Sequence, residues 1–215
     1  MTESTRVVRH RLLDRLYHWL MAAAMLTLLF TSFLPILGVK FAWVDIHWIA
    51  GVILIVLVFF HILRAVILLR LRDMWVGPRE FIAAAAATTR EVAGGERVKR
   101  RQGKYSVGQV LYHHGVALVV ITASVTGVMM MVGVDSPFWE RNPLFMSEKT
   151  RGLVFVLHGL AGLASVSMIM VHVYFAVRPE KRYLTRSMLK GWITRGELEA
   201  HHDTSRWSGD NSDQR

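Results

Sequence analysis

Four long apolar blocks constrain this chain more than any other feature: Leu16–Leu37, Ile46–Leu69, Val110–Val132 and Leu153–Val177. Each runs for about 20 residues or more, enough for a helix rising 1.5 Å per residue to cross a hydrocarbon core of about 30 Å. A soluble domain of 215 residues needs one modest core, whereas here 53% of the residues are hydrophobic and they are gathered in blocks. Lipid offers no hydrogen bonds, so each block must satisfy its own backbone as a helix. The expected fold is all-α, an integral membrane four-helix bundle. The first block is too long for a signal-peptide core and no small-residue cleavage site follows it, so it is expected to be retained.

The charge distribution orients the bundle. The net charge is +10, and the hydropathy assigns that excess to membrane-flanking loops rather than to a nucleic-acid surface. Four basic residues precede the first block, nine lie between blocks two and three, and eight follow block four. The remaining connections carry only Lys40, Arg141, Lys149 and Arg151. The positive-inside rule then places both termini in the cytoplasm, and an even number of spans agrees in putting them on one side. In the basic connection, Phe81 to Ala93 reads as a short surface helix after Pro78, ended by Gly94-Gly95. The opposite connection, Gly133 to Thr150, holds Pro137, Phe138, Trp139, Pro143 and Phe145, aromatics suited to an outer interface. Residues 1–195 are expected to form the transmembrane domain, and 196–215 a polar cytoplasmic tail without fixed structure.

The chain has no cysteine and ten histidines. That excludes disulfides, thiolate-held iron–sulfur clusters and covalently attached c-type haem, and makes histidine the main candidate metal ligand. His47 and His61 lie 14 residues apart in block two, as do His158 and His172 in block four. Fourteen residues at about 100° each are nearly four full turns, so each pair shares a helix face with its members about 21 Å apart along the axis. Polar residues in lipid are expensive, and matched pairs at matched depths need a common cause. Two non-covalent b-type haems, one above the other, supply it. Packing of buried polar side chains between helices is the plainer alternative. Depth lets His47 and His158 share an outer haem, and gives His172 two candidate partners near the cytoplasm, His18 and His61.

Glycine follows His47 and His158 by four, at Gly51 and Gly162, where a flat ligand would need room. Helix packing by small residues explains the same pattern. His113 and His114 are adjacent, so at most one faces inward; both read as interfacial, or as near a quinone or proton path. Arg64, one turn from His61, either meets a haem propionate or snorkels to the interface. His10, His201 and His202 fall outside the blocks and are expected to be solvated.

At these residues the sequence resembles the gamma subunit of respiratory formate dehydrogenase, the membrane cytochrome b of a wider family that also serves nickel–iron hydrogenases. The resemblance runs from Val7 to about Trp192. It is carried by LLDRLYHW at Leu12–Trp19, HWIAG at His47–Gly51, GKYSVGQ at Gly103–Gln109, and the HGLAG and HVYFA segments between His158 and Ala176. It implies a bis-histidine outer haem on His47 and His158, and an inner haem on His18 and His172, so it selects His18 over His61. It also implies a quinone site beside the inner haem at the GKYSVGQ segment, with Tyr105, Ser106, Gly108 and Gln109 as candidates. Asparagine is expected where this chain has Ser106.

The implied function is an electron conduit. A catalytic subunit and an iron–sulfur subunit on the periplasmic side would deliver electrons to the outer haem, and the inner haem would reduce menaquinone or ubiquinone near the cytoplasm. With no cysteine, this chain leaves the iron–sulfur centres to another polypeptide. The alternatives are the cytochrome b subunit of a nickel–iron hydrogenase or related complex, a stand-alone dihaem quinone-linked cytochrome, and a haem-free anchor or transporter. No matched pair of broken helices points to a transporter.

Overall fold

The computed structural model describes residues 6–68, 75–94 and 103–207. Its elements run β1 (Arg6–Val8), α1 (Leu12–Phe33), α2 (Trp43–Leu68), α3 (Pro78–Val92), α4 (Val107–Met131), α5 (Glu148–Val177), a 3-10 turn at Pro179–Lys181, α6 (Arg182–Lys190), β2 (Trp192–Thr194) and α7 (Arg195–His201). Helices α1, α2, α4 and α5 are long and apolar enough to cross a membrane, and each overlaps one of the four blocks of the sequence, although α1 ends at Phe33, before the first block does. Only 11–17% of the residues in their most apolar stretches are buried within the chain. The outward apolar side chains therefore need lipid or a partner to cover them, as in a membrane bundle.

The described residues divide into two units. The first comprises Leu16–Arg64 and Gly115–Phe175. Its core joins Ala24, Leu54 and Val120, flanked by Met21, Met25, Leu28, Val58 and Val116. The small side chain of Ala24 and the unbranched methionines let the helices close on each other. In the connection between α4 and α5, the Trp139 indole N–H lies 3.0 Å from both Met131 O and Val134 O. Its ring meets Trp48 edge-on at 5.8 Å, an aromatic girdle of the type that settles at a membrane interface.

The second unit takes its described residues from Met1–Arg15, Ala65–His114 and Ala176–Arg215. A two-stranded antiparallel ladder, absent from the all-α expectation, pairs Val7 with Ile193 between Arg6↔Thr194 and Val8↔Trp192. α6 stops at Gly191, whose φ is +90°. A Cβ there would stand 3.0 Å from His10 O, while Gly191 O accepts from the Arg9 and His10 N–H groups at 2.9 and 3.1 Å. Both the left-handed backbone and the close approach call for glycine.

The tail beyond residue 195 differs from the disordered segment expected. It is helical over Arg195–His201, and Leu198 is fully buried. The cause is a capping box: Thr194 Oγ1 accepts from Glu197 N–H at 3.2 Å, and the Glu197 carboxylate accepts from Thr194 N–H at 2.9 Å. Residues 208–215 lie outside the described residues, as do Arg70, Arg72, Gly95 and the basic run from Arg97 to Arg101. Burial raises the Glu197 pKa, but hydrogen bonds from Thr194 and the charge of Arg186 outweigh it and hold the carboxyl below its ordinary 4.5. A depressed carboxyl stabilises the fold above its unfolded pKa, and that contribution goes as pH falls through the folded value. The protection factors of the amides over residues 195–201, corrected for the intrinsic exchange rate at each pH, are therefore expected to fall below about pH 4.5. Glu197→Gln should lose most of that pH dependence.

His202 also departs from expectation, being 5% exposed. Its Nδ1 stands 2.9 Å from Gly103 O, which only accepts, so Nδ1 carries the proton. Nε2 then accepts from Arg9 Nη1 at 3.1 Å, while Arg9 Nη2 donates to Lys104 O at 2.8 Å. Arg9 is 1% exposed and its guanidinium lies 5.0 Å over the Trp207 ring. Burial pulls the Arg9 pKa down, and the facing Tyr105 and Tyr183 push it back. The ends of the described chain thus grip the GKYSVGQ segment from two directions.

Candidate metal-ligand site

The first unit brings four of the sequence-selected histidines together as two facing pairs. His47 from α2 faces His158 from α5 with ring centres 6.2 Å apart and planes crossed at 72°. His18 from α1 faces His172 from α5 at 6.1 Å with planes at 42°. His18, the choice that spacing left open, is the ring opposite His172. His61 stacks on Tyr17 at 5.1 Å, 16° from parallel.

These separations suit imidazoles on opposite sides of one iron. Two metal–nitrogen bonds of about 2.0–2.1 Å, with about 1 Å more to each ring centre, add to about 6 Å. Among the described residues no cluster of three or more His, Cys, Asp or Glu could hold a bare ion. A porphyrin supplies four equatorial nitrogens and asks the protein for only two axial ligands, which each pair offers.

The histidine at each end of the 72° pair is held from behind. Thr31 Oγ1 lies 2.8 Å from His47 Nδ1, and Thr126 Oγ1 lies 2.9 Å from His158 Nδ1. Each hydroxyl has one proton and two carbonyls within reach on its own helix. For Thr31 these are Thr27 O at 2.8 Å and Leu28 O at 3.0 Å. For Thr126 they are Thr122 O at 2.6 Å and Ala123 O at 3.2 Å. Carbonyls only accept, so the hydroxyl protons go to the backbone and the threonine oxygens accept from Nδ1–H. Both rings are thereby the Nδ1–H tautomer, with the Nε2 lone pair left for a metal. Both threonines are almost fully buried.

These threonines were missed in the sequence, although T-x-x-x-T recurs as TLLFT at Thr27–Thr31 and TASVT at Thr122–Thr126. Gly127 was missed as well. A Cβ there would sit 3.3 Å from His158 Cε1, so glycine lets that ring lie close to α4. At the two glycines that were singled out there is room: a Cβ on Gly162 meets nothing within 4 Å, and one on Gly51 only the tip of Leu28 at 3.9 Å.

The GKYSVGQ candidates lie in the other unit. Ser106 N–H donates to Gln109 Oε1 at 2.9 Å, and Gln109 N–H to Ser106 Oγ at 3.1 Å. That is a reciprocal cap on the first turn of α4, and it engages the side chains of both residues. Gly108 lies within that turn, where a Cβ would stand 3.9 Å from Ser106 Oγ. Tyr105 has the Lys104 ammonium 5.9 Å from its ring centre. His113 and His114 cross edge-on at 5.9 Å, with His114 Nδ1 donating to Val110 O at 2.8 Å.

Two curated proteins are similar to almost the whole chain. The formate dehydrogenase cytochrome b556 subunit of Haemophilus influenzae is 24% identical over 96% of this chain and 84% of its own. The formate dehydrogenase cytochrome b556(fdo) subunit of Escherichia coli K12 is 26% identical over 96% and 94%. The family described as prokaryotic cytochrome b561 matches residues 9–191, a span that takes in all four membrane helices and all four facing histidines. With paired imidazoles suited to a b-type haem inside four apolar helices, the chain belongs to the prokaryotic cytochrome b561 family.

Proposed function

We propose that this protein is the membrane cytochrome b subunit of a formate dehydrogenase complex, conducting electrons from an iron–sulfur partner to quinone. The observation that carries the reading is the pair of facing imidazole sets, both built on α5 and 14 residues apart along it. His47 and His158 would hold one haem b, and His18 and His172 a second. When bound, each haem supplies a one-electron ferric/ferrous couple in a low-spin, six-coordinate iron.

The chain's own contribution is positional. α2 and α5 present Nε2 lone pairs toward each other, and the apolar helices around them exclude water. The excess of basic residues at the α1 start, the α2–α4 connection and the tail supports cytoplasmic termini. That orientation sets His47 and His158 toward the periplasm, where the catalytic and iron–sulfur subunits would dock. His18 and His172 then lie toward the cytoplasm, on the side of quinone reduction. The chain's similarity to formate dehydrogenase subunits supports formate as the partner's substrate.

Two measurements test this. A pyridine haemochrome assay on the purified protein should give two protohaem groups per chain; one or none would overturn the dihaem assignment. Formate should reduce those haems in the purified complex, and mass spectrometry should find an iron–sulfur and a catalytic subunit with this chain. Hydrogen-driven reduction with no response to formate would move it to a hydrogenase.

A further inference from the structure

Thr31 and Thr126 support an inference that rests on the two-haem reading and goes past it. They approach the His47–His158 pair from different helices, α1 and α4, yet make the same bond to the same ring atom. His18 Nδ1, in the other pair, is buried and meets no hydrogen-bond acceptor among the described residues. An imidazole that donates its remote N–H gains anionic character and becomes a more basic ligand. A more basic ligand favours the higher-charged, oxidised iron.

We propose that Thr31 and Thr126 are positioning residues that lower the potential of the iron held by His47 and His158 relative to that held by His18 and His172. The difference sets the direction of travel. The reductant is the partner's iron–sulfur centre and the final oxidant is quinone. An electron received at the threonine-backed pair then runs downhill to the other.

The test is a spectroscopic redox titration of the purified membrane complex. Wild type should resolve two one-electron components, the lower belonging to the His47–His158 pair. Thr31→Val and Thr126→Val keep the shape and remove the hydroxyl. Each should raise the lower component so that its oxidised-to-reduced ratio at fixed potential changes about threefold to tenfold. That is about 28–59 mV at 59 mV per tenfold for one electron. The higher component should stay in place, and Thr31→Ser and Thr126→Ser should restore the wild-type value.

Valine variants that keep both low-spin haems with unmoved potentials would overturn the proposal. So would a downward shift, or an equal shift of both components. If a valine variant loses the haem outright, the serine variant decides. Retention at the wild-type potential supports a role for the hydroxyl, and loss in serine as well overturns it. A wild-type titration with a single component sinks the two-haem reading itself, before any variant is compared.

Discussion

Replacing His47 or His158 with alanine is expected to remove one of two low-spin haems and leave the other intact. A six-coordinate bis-imidazole iron cannot stay low-spin after losing an axial nitrogen. The two sites should also be told apart by electron paramagnetic resonance. Planes crossed at 72° bring the two π-type iron orbitals closer in energy than planes at 42°. The His47–His158 iron should therefore give the signal with the larger maximum g-value. His47→Ala and His158→Ala should abolish that signal, and His18→Ala and His172→Ala the other. His61→Ala should leave both in place, because its ring stacks on Tyr17 while His18 faces His172. Loss of a haem in His61→Ala with retention in His18→Ala would reverse the ligand assignment.

Arg9→Met should have the largest effect on the second unit. It removes donors from Lys104 O and His202 Nε2, along with the cation over Trp207, at a site that is almost fully buried. A buried acceptor without a donor costs about 1–3 kcal/mol, and two such groups put the local loss at about 2–6 kcal/mol. Arg9→Lys should recover little of it, because a single ammonium cannot reach two acceptors from opposite ends of a guanidinium fork. Amide exchange at Ile193 and Leu198 and proteolysis after Arg195 would report the change. Protection equal to wild type in both variants would show that Arg9 does not hold the tail.

The spans were legible because lipid exposure leaves long uninterrupted apolar runs, and the histidines because a charge-capable ring in such a run has few reasons to be there. Spacing alone stopped at His18 against His61. Both lie at one depth, and only helix rotation distinguishes a ring that faces His172 from one that stacks on Tyr17. Thr31 and Thr126 escaped notice because threonine bonds its own backbone in any helix, so its second role depends on what crosses behind it. Arg9 and His202 were counted as loop charge and solvated tail, since composition does not reveal a ladder closed between residues nearly two hundred apart. Ser106 and Gln109 had a local meaning in plain view: S-x-x-Q before an apolar run is a helix start.

One consequence follows from α5 carrying both His158 and His172 on a single unbroken helix. Tunnelling rates fall exponentially with distance, so a gap bridged by loops would let thermal motion modulate the current. If His158 and His172 each bind a haem iron as proposed, they would be marks on one ruler, with the span between them set by the pitch of a single helix. The helices facing α5 could then shift or tilt on docking of the proposed partners without resetting that length.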